Sequence, residues 1–64
     1  MFFQYHTYSI YTVDEKRGVQ SLPVIVRGYF CAMRAGKKMR DDTGKTVVVR
    51  NTRRRTNVTL SGEG

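Results

Sequence analysis

The side chains that could do acid–base, nucleophilic or metal chemistry in this chain are few and scattered. His6 is the single histidine and Cys31 the single cysteine. General acid–base catalysis needs titratable groups that converge, and His6 lies in a stretch that reads as a strand, where a packed or solvent-facing imidazole is the ordinary outcome. Asp41 and Asp42 are adjacent, so on a helix they point about 100° apart and do not face each other as a carboxylate pair. Asp14 and Glu15 fall in a turn, and Ser9, Ser21 and Ser61 have no evident base nearby in the sequence. One histidine, one cysteine and separated acids do not make a tetrahedral N/S metal site. Neither an enzyme nor a cofactor is expected.

Two local matches to known motifs fail on context. Gly44-Lys45-Thr46 matches the last three residues of a phosphate-binding loop, but the earlier glycine would fall at position 39, where Met39 stands. A helix would also precede the glycine and a strand follow it, the reverse of what that loop requires. Asn57-Val58-Thr59 is formally a glycosylation sequon, which has meaning only with a secretory signal, and the N-terminus does not read as one.

What remains is positive charge interleaved with aromatic rings. Twelve Lys and Arg stand against five Asp and Glu, a net charge of +7 on 64 residues. A field of that size attracts polyanions and acidic surfaces before any contact forms. Arg53, Arg54 and Arg55 are consecutive and could clamp phosphates from the tip of a hairpin, with Arg50, Lys45, Arg34, Lys37 and Lys38 extending the contact. The same triplet also reads as a solvated turn that keeps a sheet edge soluble, and Lys45 as a solvated strand-end charge. Tyr5, Tyr8 and Tyr11 could stack on unpaired bases if they reach an open surface, although strand tyrosines more often build core and interface.

These residues depend on elements that the sequence outlines. From Phe2 to Val13 the composition is aromatic, β-branched or small polar, which favours a strand. Phe3, Tyr5, Thr7, Ser9, Tyr11 and Val13 share one face of it, and Phe2, Gln4, His6, Tyr8, Ile10 and Thr12 the other. The polar run Asp14 to Gly18 reads as a hairpin turn. Val19 to Val26 reads as the returning strand, with Leu22, Val24 and Val26 on one face. Pro23 confines that strand to a sheet edge or interrupts it with a bulge. A rival reading starts a helix at Ser21 with Pro23 in its first turn, but the run Val24-Ile25-Val26 argues against it.

From Tyr29 onward the spacing is helical: Tyr29, Ala32, Met33, Ala35, Gly36 and Met39 fall on one side and Arg34, Lys37 and Lys38 on the other. Gly36 within the apolar face costs roughly 1 kcal/mol relative to alanine and points to close packing there, with a kink in the helix as the alternative. Cys31, near the edge of the apolar arc, reads as a small core residue and not as a reactive thiol. Gly44 suits a left-handed cap, so the helix is expected to end near Asp42. Asp41 and Asp42 then sit at the unfavourable end of the dipole and are best explained as neutralising neighbouring cations. Thr46 to Arg50 and Asn57 to Leu60 read as two strands, with Asn51 or Asn57 taking positive φ at the turn between them.

The expected order is β-β-α-β-β, a small two-layer α+β domain in which one helix covers one face of an antiparallel sheet. Residues 1–60 form that domain and 61–64 a flexible tail. A chain this short buries only about 60% of its unfolded surface, so its stability is marginal or helped by self-association. No segment has the apolar length to cross a bilayer, and the lone cysteine suits a reducing cytoplasm. The leading expectation is a basic module that binds DNA or RNA mainly through phosphates. The alternative is an inhibitor or accessory subunit docking on an acidic protein surface by adding an edge strand. A homodimer that buries the tyrosine-bearing sheet face is the third.

Overall fold

Strict alternation in the first strand decides which way the sheet faces. In the computed structural model, which describes residues 6–14 and 16–62, β1 (Thr7–Asp14) buries Tyr8, Ile10 and Thr12 and leaves Thr7, Ser9, Tyr11 and Val13 on the opposite side. The rest of the expected first strand, residues 2–5, lies outside the described residues. β2 (Val19–Gln20), β3 (Val24–Arg27), α1 (Tyr29–Thr43), β4 (Thr46–Asn51) and β5 (Thr56–Leu60) follow. This is the expected β-β-α-β-β layout with its second strand in two pieces.

β1 is central, with β4 on one side and β2 and β3 in succession on the other; β5 closes the far edge. All pairings are antiparallel. Because β3 and β4 both run against β1, they run parallel to each other, and α1 is the crossover that such strands need. The break at residues 21–23 coincides with Pro23, on an edge, as the missing donor predicts. Ser21 keeps the broken edge attached: its hydroxyl accepts the Thr12 N–H at 2.9 Å and its own N–H reaches the Thr12 carbonyl at 2.9 Å. The break also removes Leu22 from the face it was expected to share with Val24 and Val26, leaving it 90% exposed.

The core lies between the sheet and α1. Register sets Ile10 beside Val49 and Thr12 beside Val47, and Tyr8, Ile10, Val47 and Val49 meet Ala32 of the helix, with Val26, Met33, Ala35, Met39 and Leu60 packed around them. Gly28, at φ 99° and ψ 136°, turns the chain from β3 into the helix in a conformation that suits glycine. Gly44, at φ 71°, ends it, donating its N–H to the Arg40 carbonyl at 2.7 Å. The helix runs one residue past the expected stop, to Thr43, whose hydroxyl bonds the Met39 carbonyl at 2.7 Å. Asp41 pairs with Arg40 at 3.4 Å, a neutralising contact near the surface that contributes little. Cys31 is exposed, so the helix turns it outward and not into the core as its place on the arc suggested.

Gly36 is where helix and sheet approach. A Cβ there would meet Val49 Cγ2 at 2.8 Å and Leu60 Cδ1 at 3.2 Å. Gly36→Ala gains up to about 1 kcal/mol in helix propensity but overpacks the core at a cost of about 1–3 kcal/mol. The expected result is a net loss of about 1 kcal/mol, read as a lower urea midpoint; an unchanged or higher midpoint would show that the two layers are free to separate. Gly62 N–H reaches Thr46 Oγ1 at 3.3 Å, and a Cβ on Gly62 would lie 2.5 Å from the Gly44 carbonyl oxygen. Among the described residues no helix is long and apolar enough to cross a membrane.

Candidate nucleic-acid interface

Two hairpin turns in this chain share one hydrogen-bond scheme, and they differ at the position that matters. In the first, Asp14 Oδ1 accepts the N–H groups of Lys16 at 3.1 Å and Arg17 at 3.3 Å, while its carbonyl accepts that of Gly18 at 2.7 Å. In the second, Asn51 Oδ1 accepts the N–H groups of Arg53 and Arg54, both at 3.0 Å, and its carbonyl accepts that of Arg55 at 2.8 Å. The registers match as well, Asp14 facing Val19 and Asn51 facing Thr56. Both schemes close on a residue in the left-handed region: Gly18 at φ 67° and Arg55 at φ 58°. Glycine takes that conformation freely, whereas an L-residue is strained there by roughly 1–2 kcal/mol. The expectation that Asn51 or Asn57 would take positive φ is therefore corrected. Asn51 stands at the start of the turn because its side chain is the acceptor, and that geometry passes the strain to Arg55.

Asn51 also ties the turn to the core. It is buried, and its amide nitrogen lies 2.9 Å from His6 Nδ1 and 3.4 Å from the Tyr8 hydroxyl. Since Asn51 Oδ1 is engaged by two backbone donors, its amide nitrogen is the group facing His6, which assigns Nδ1 as an acceptor and places the ring proton on Nε2. The Tyr8 ring packs edge-on against Tyr29, with centroids 6.0 Å apart, and Tyr29 in turn against Phe30 at 5.6 Å. Burial pushes the Tyr8 phenol pKa up from its ordinary value, opposed by the Asn51 hydrogen bond and the Arg54 charge.

The candidate stacking rings consequently separate. Tyr8, 4% exposed beneath the helix, is core and has no free face for a base. Tyr5 lies outside the described residues. Tyr11 points from the uncovered sheet face, opposite Val48, and is half-buried. On that face Ile25, Ser9, Arg50 and Asn57 form one cross-strand row, with Arg27 beside Thr7 in the next. Arg50 is the diagonal neighbour of Tyr11, about 7–8 Å away by sheet geometry. The described carboxylates, Asp14, Asp41 and Asp42, all lie elsewhere: two on the helix, and Asp14 on the opposite parity of β1. The uncovered face is thus basic and free of acidic side chains among the described residues.

β4 leads from this face into the arginine turn, so Arg50, Arg53, Arg54 and Arg55 are gathered at one end of the molecule, all exposed. Arg27 joins them through the β1 register. It was not singled out from the sequence, although its parity with Ile25 was the available signal. Lys45 lies at the other end of β4, in a cleft of about 400 Å³ that it shares with Asp14 and Lys16. Arg34, Lys37 and Lys38 are exposed on the helix, in the other layer. The expected basic set therefore divides into an end-and-face cluster, a helix group and an isolated lysine. No protein-family model, curated protein or solved structure matches this chain.

Proposed function

We propose that the chain is a small non-enzymatic module that binds nucleic acid, using Arg53, Arg54 and Arg55 on phosphates and the uncovered sheet face with Arg27, Arg50 and Tyr11 alongside. The observation that carries this reading is Arg55. The Asp14 turn shows that the same scheme closes without strain on glycine, yet the second turn holds an arginine in the left-handed conformation directly after two further cations. Backbone strain kept at an exposed position where a simpler residue would serve is a feature of functional sites. Repulsion among three adjacent guanidinium groups is relieved when a polyanion sits against them. Arg34, Lys37 and Lys38 add to the long-range field.

The test is fluorescence anisotropy with duplex DNA, single-stranded DNA and RNA across a salt series. Binding that persists near physiological salt is expected, and Arg53, Arg54 and Arg55 changed together to serine should weaken it and flatten the dependence of log K on log salt by about 2–3, one phosphate per arginine. Arg55→Gly separates strain from contact. It should raise stability by about 1 kcal/mol, the relief of the left-handed penalty, while still weakening binding. Equal affinity and slope in the triple variant would remove the turn from the interface. Loss of all binding above low salt in the unchanged protein would leave only a generic field and direct attention to an acidic protein surface.

A further inference from the structure

We propose that β3 is the seam of a two-fold homodimer, in which the Val24–Arg27 strands of two copies pair antiparallel about Ile25 and join the two sheets into one. The inference is independent of the nucleic-acid reading. The two sheet edges are unlike. β5 reads Thr56-Asn57-Val58-Thr59-Leu60, with Val58 its one large apolar side chain exposed, and follows directly on three arginines. β3 lies in a run, Val19 to Val26, without a charged residue, and the side chains there are bare: Leu22 is 90% exposed, Ile25 61%, Val19 57% and Val24 46%. Phe30, just after β3 in the first turn of α1, is 74% exposed. Natural sheets protect edges with charge, and an apolar edge whose one charge, Arg27, stands at its very end is a pairing surface.

The hydrogen-bonding groups of β3 fit a copy of themselves. Gly28 donates to the His6 carbonyl at 2.9 Å, and in an antiparallel ladder the residues bonded to one neighbour alternate with those free for the other. Val26 and Val24 therefore face β1, while Arg27, Ile25 and Pro23 turn their backbone groups outward. With the two-fold axis at Ile25, the two Ile25 residues exchange N–H···O bonds, and each Arg27 N–H meets the Pro23 carbonyl of the second copy, four bonds in all. The donor that Pro23 lacks is missed only by the Arg27 carbonyl at the end of the seam, where water reaches it.

Side chains meet well in the same register. Ile25 lies beside Ile25, Val24 beside Val26 of the second copy, and Arg27 beside Pro23, so no like charges face each other. A partner recruited by the +7 charge would need a cluster of cations at the contact, and the seam supplies a single one, Arg27 at its end. Antiparallel pairing keeps both helices on one side of the joined sheet and both uncovered faces on the other.

Sedimentation velocity on the whole protein at micromolar concentration tests this, with Ile25→Lys and Ile25→Glu as variants. Ile25 is exposed in the single chain, so each variant should keep the circular dichroism of the fold. The unchanged protein is expected to sediment as a dimer and each variant alone as a monomer. An equimolar mixture of the two should form dimers again, because the introduced lysine and glutamate then face each other across the axis. Amide hydrogen exchange gives a readout without substitution: the outward N–H groups of Ile25 and Arg27 should be protected. A monomeric unchanged protein, a dimer indifferent to both variants, a mixture that stays monomeric, or fast exchange at Ile25 would each overturn the proposal, and the first would leave the edge to a different protein.

Discussion

Asn51→Ala is expected to cost about 3 kcal/mol and to loosen the arginine turn even though every arginine remains. Asn51 organises both sides of its position. Its Oδ1 holds the N–H groups of Arg53 and Arg54, and its amide nitrogen meets His6 Nδ1 and the Tyr8 hydroxyl. Each such bond is worth about 1 kcal/mol net, and a buried polar group left without its partner costs about 1–3 kcal/mol. The turn N–H groups are near solvent and water can satisfy them, so most of the loss comes from the buried His6 and Tyr8 side. Asn51→Asp divides the two contributions, since a carboxylate can still accept from the turn but has no donor for His6. Urea unfolding followed by circular dichroism should place its midpoint between those of the unchanged protein and Asn51→Ala. An alanine variant as stable as the parent would mean that the strand pairing holds the turn without this side chain. Binding of nucleic acid should weaken in Asn51→Ala through disorder of Arg53 to Arg55, with less change in salt slope than in the triple serine variant.

Ile10→Ala should abolish the folded state of the isolated chain at room temperature. Ile10 is fully buried, in the central strand, between Val24 on one side and Val49 on the other. Truncating a buried isoleucine costs about 2–5 kcal/mol, the transfer loss plus the cavity left behind. A domain below about 70 residues has about 3–5 kcal/mol from its core to lose. The described core has Tyr8, Ala32, Val47 and Val49 as its other buried apolar members, so Ile10 is a large share of it. Thermal unfolding at several protein concentrations measures this. If β3 forms the dimer seam, the melting temperature of the unchanged protein should also rise with concentration, because association stabilises only the folded chain. A folded, cooperative Ile10→Ala chain would place much of the stability outside this cluster.

The division between what sequence and structure decide follows the range of the forces involved. Period-two alternation in β1, the helical spacing from Tyr29, the left-handed stop at Gly44 and the edge position implied by Pro23 all act over a few residues, and the sequence by itself determined them. Gly36 belongs with these, since a glycine on an apolar helix face has few reasons to be there other than close approach. Which face of β1 the helix covers was not determined locally. Both faces carry tyrosines, and only the pairing with β4, some forty residues later, puts Tyr8 in the core and Tyr11 on the open side. The same pairing gathers Arg50 and Arg27 with Arg53, Arg54 and Arg55 while leaving Lys45 and the helix cations apart. The left-handed residue that closes each turn follows from the local Asx scheme, shared by Asp14 and Asn51, while the tie from Asn51 to His6, 45 positions away, anchors the arginine turn to the core. Strand order is a product of long-range packing, so the tertiary structure alone decided which of the twelve cations form one surface.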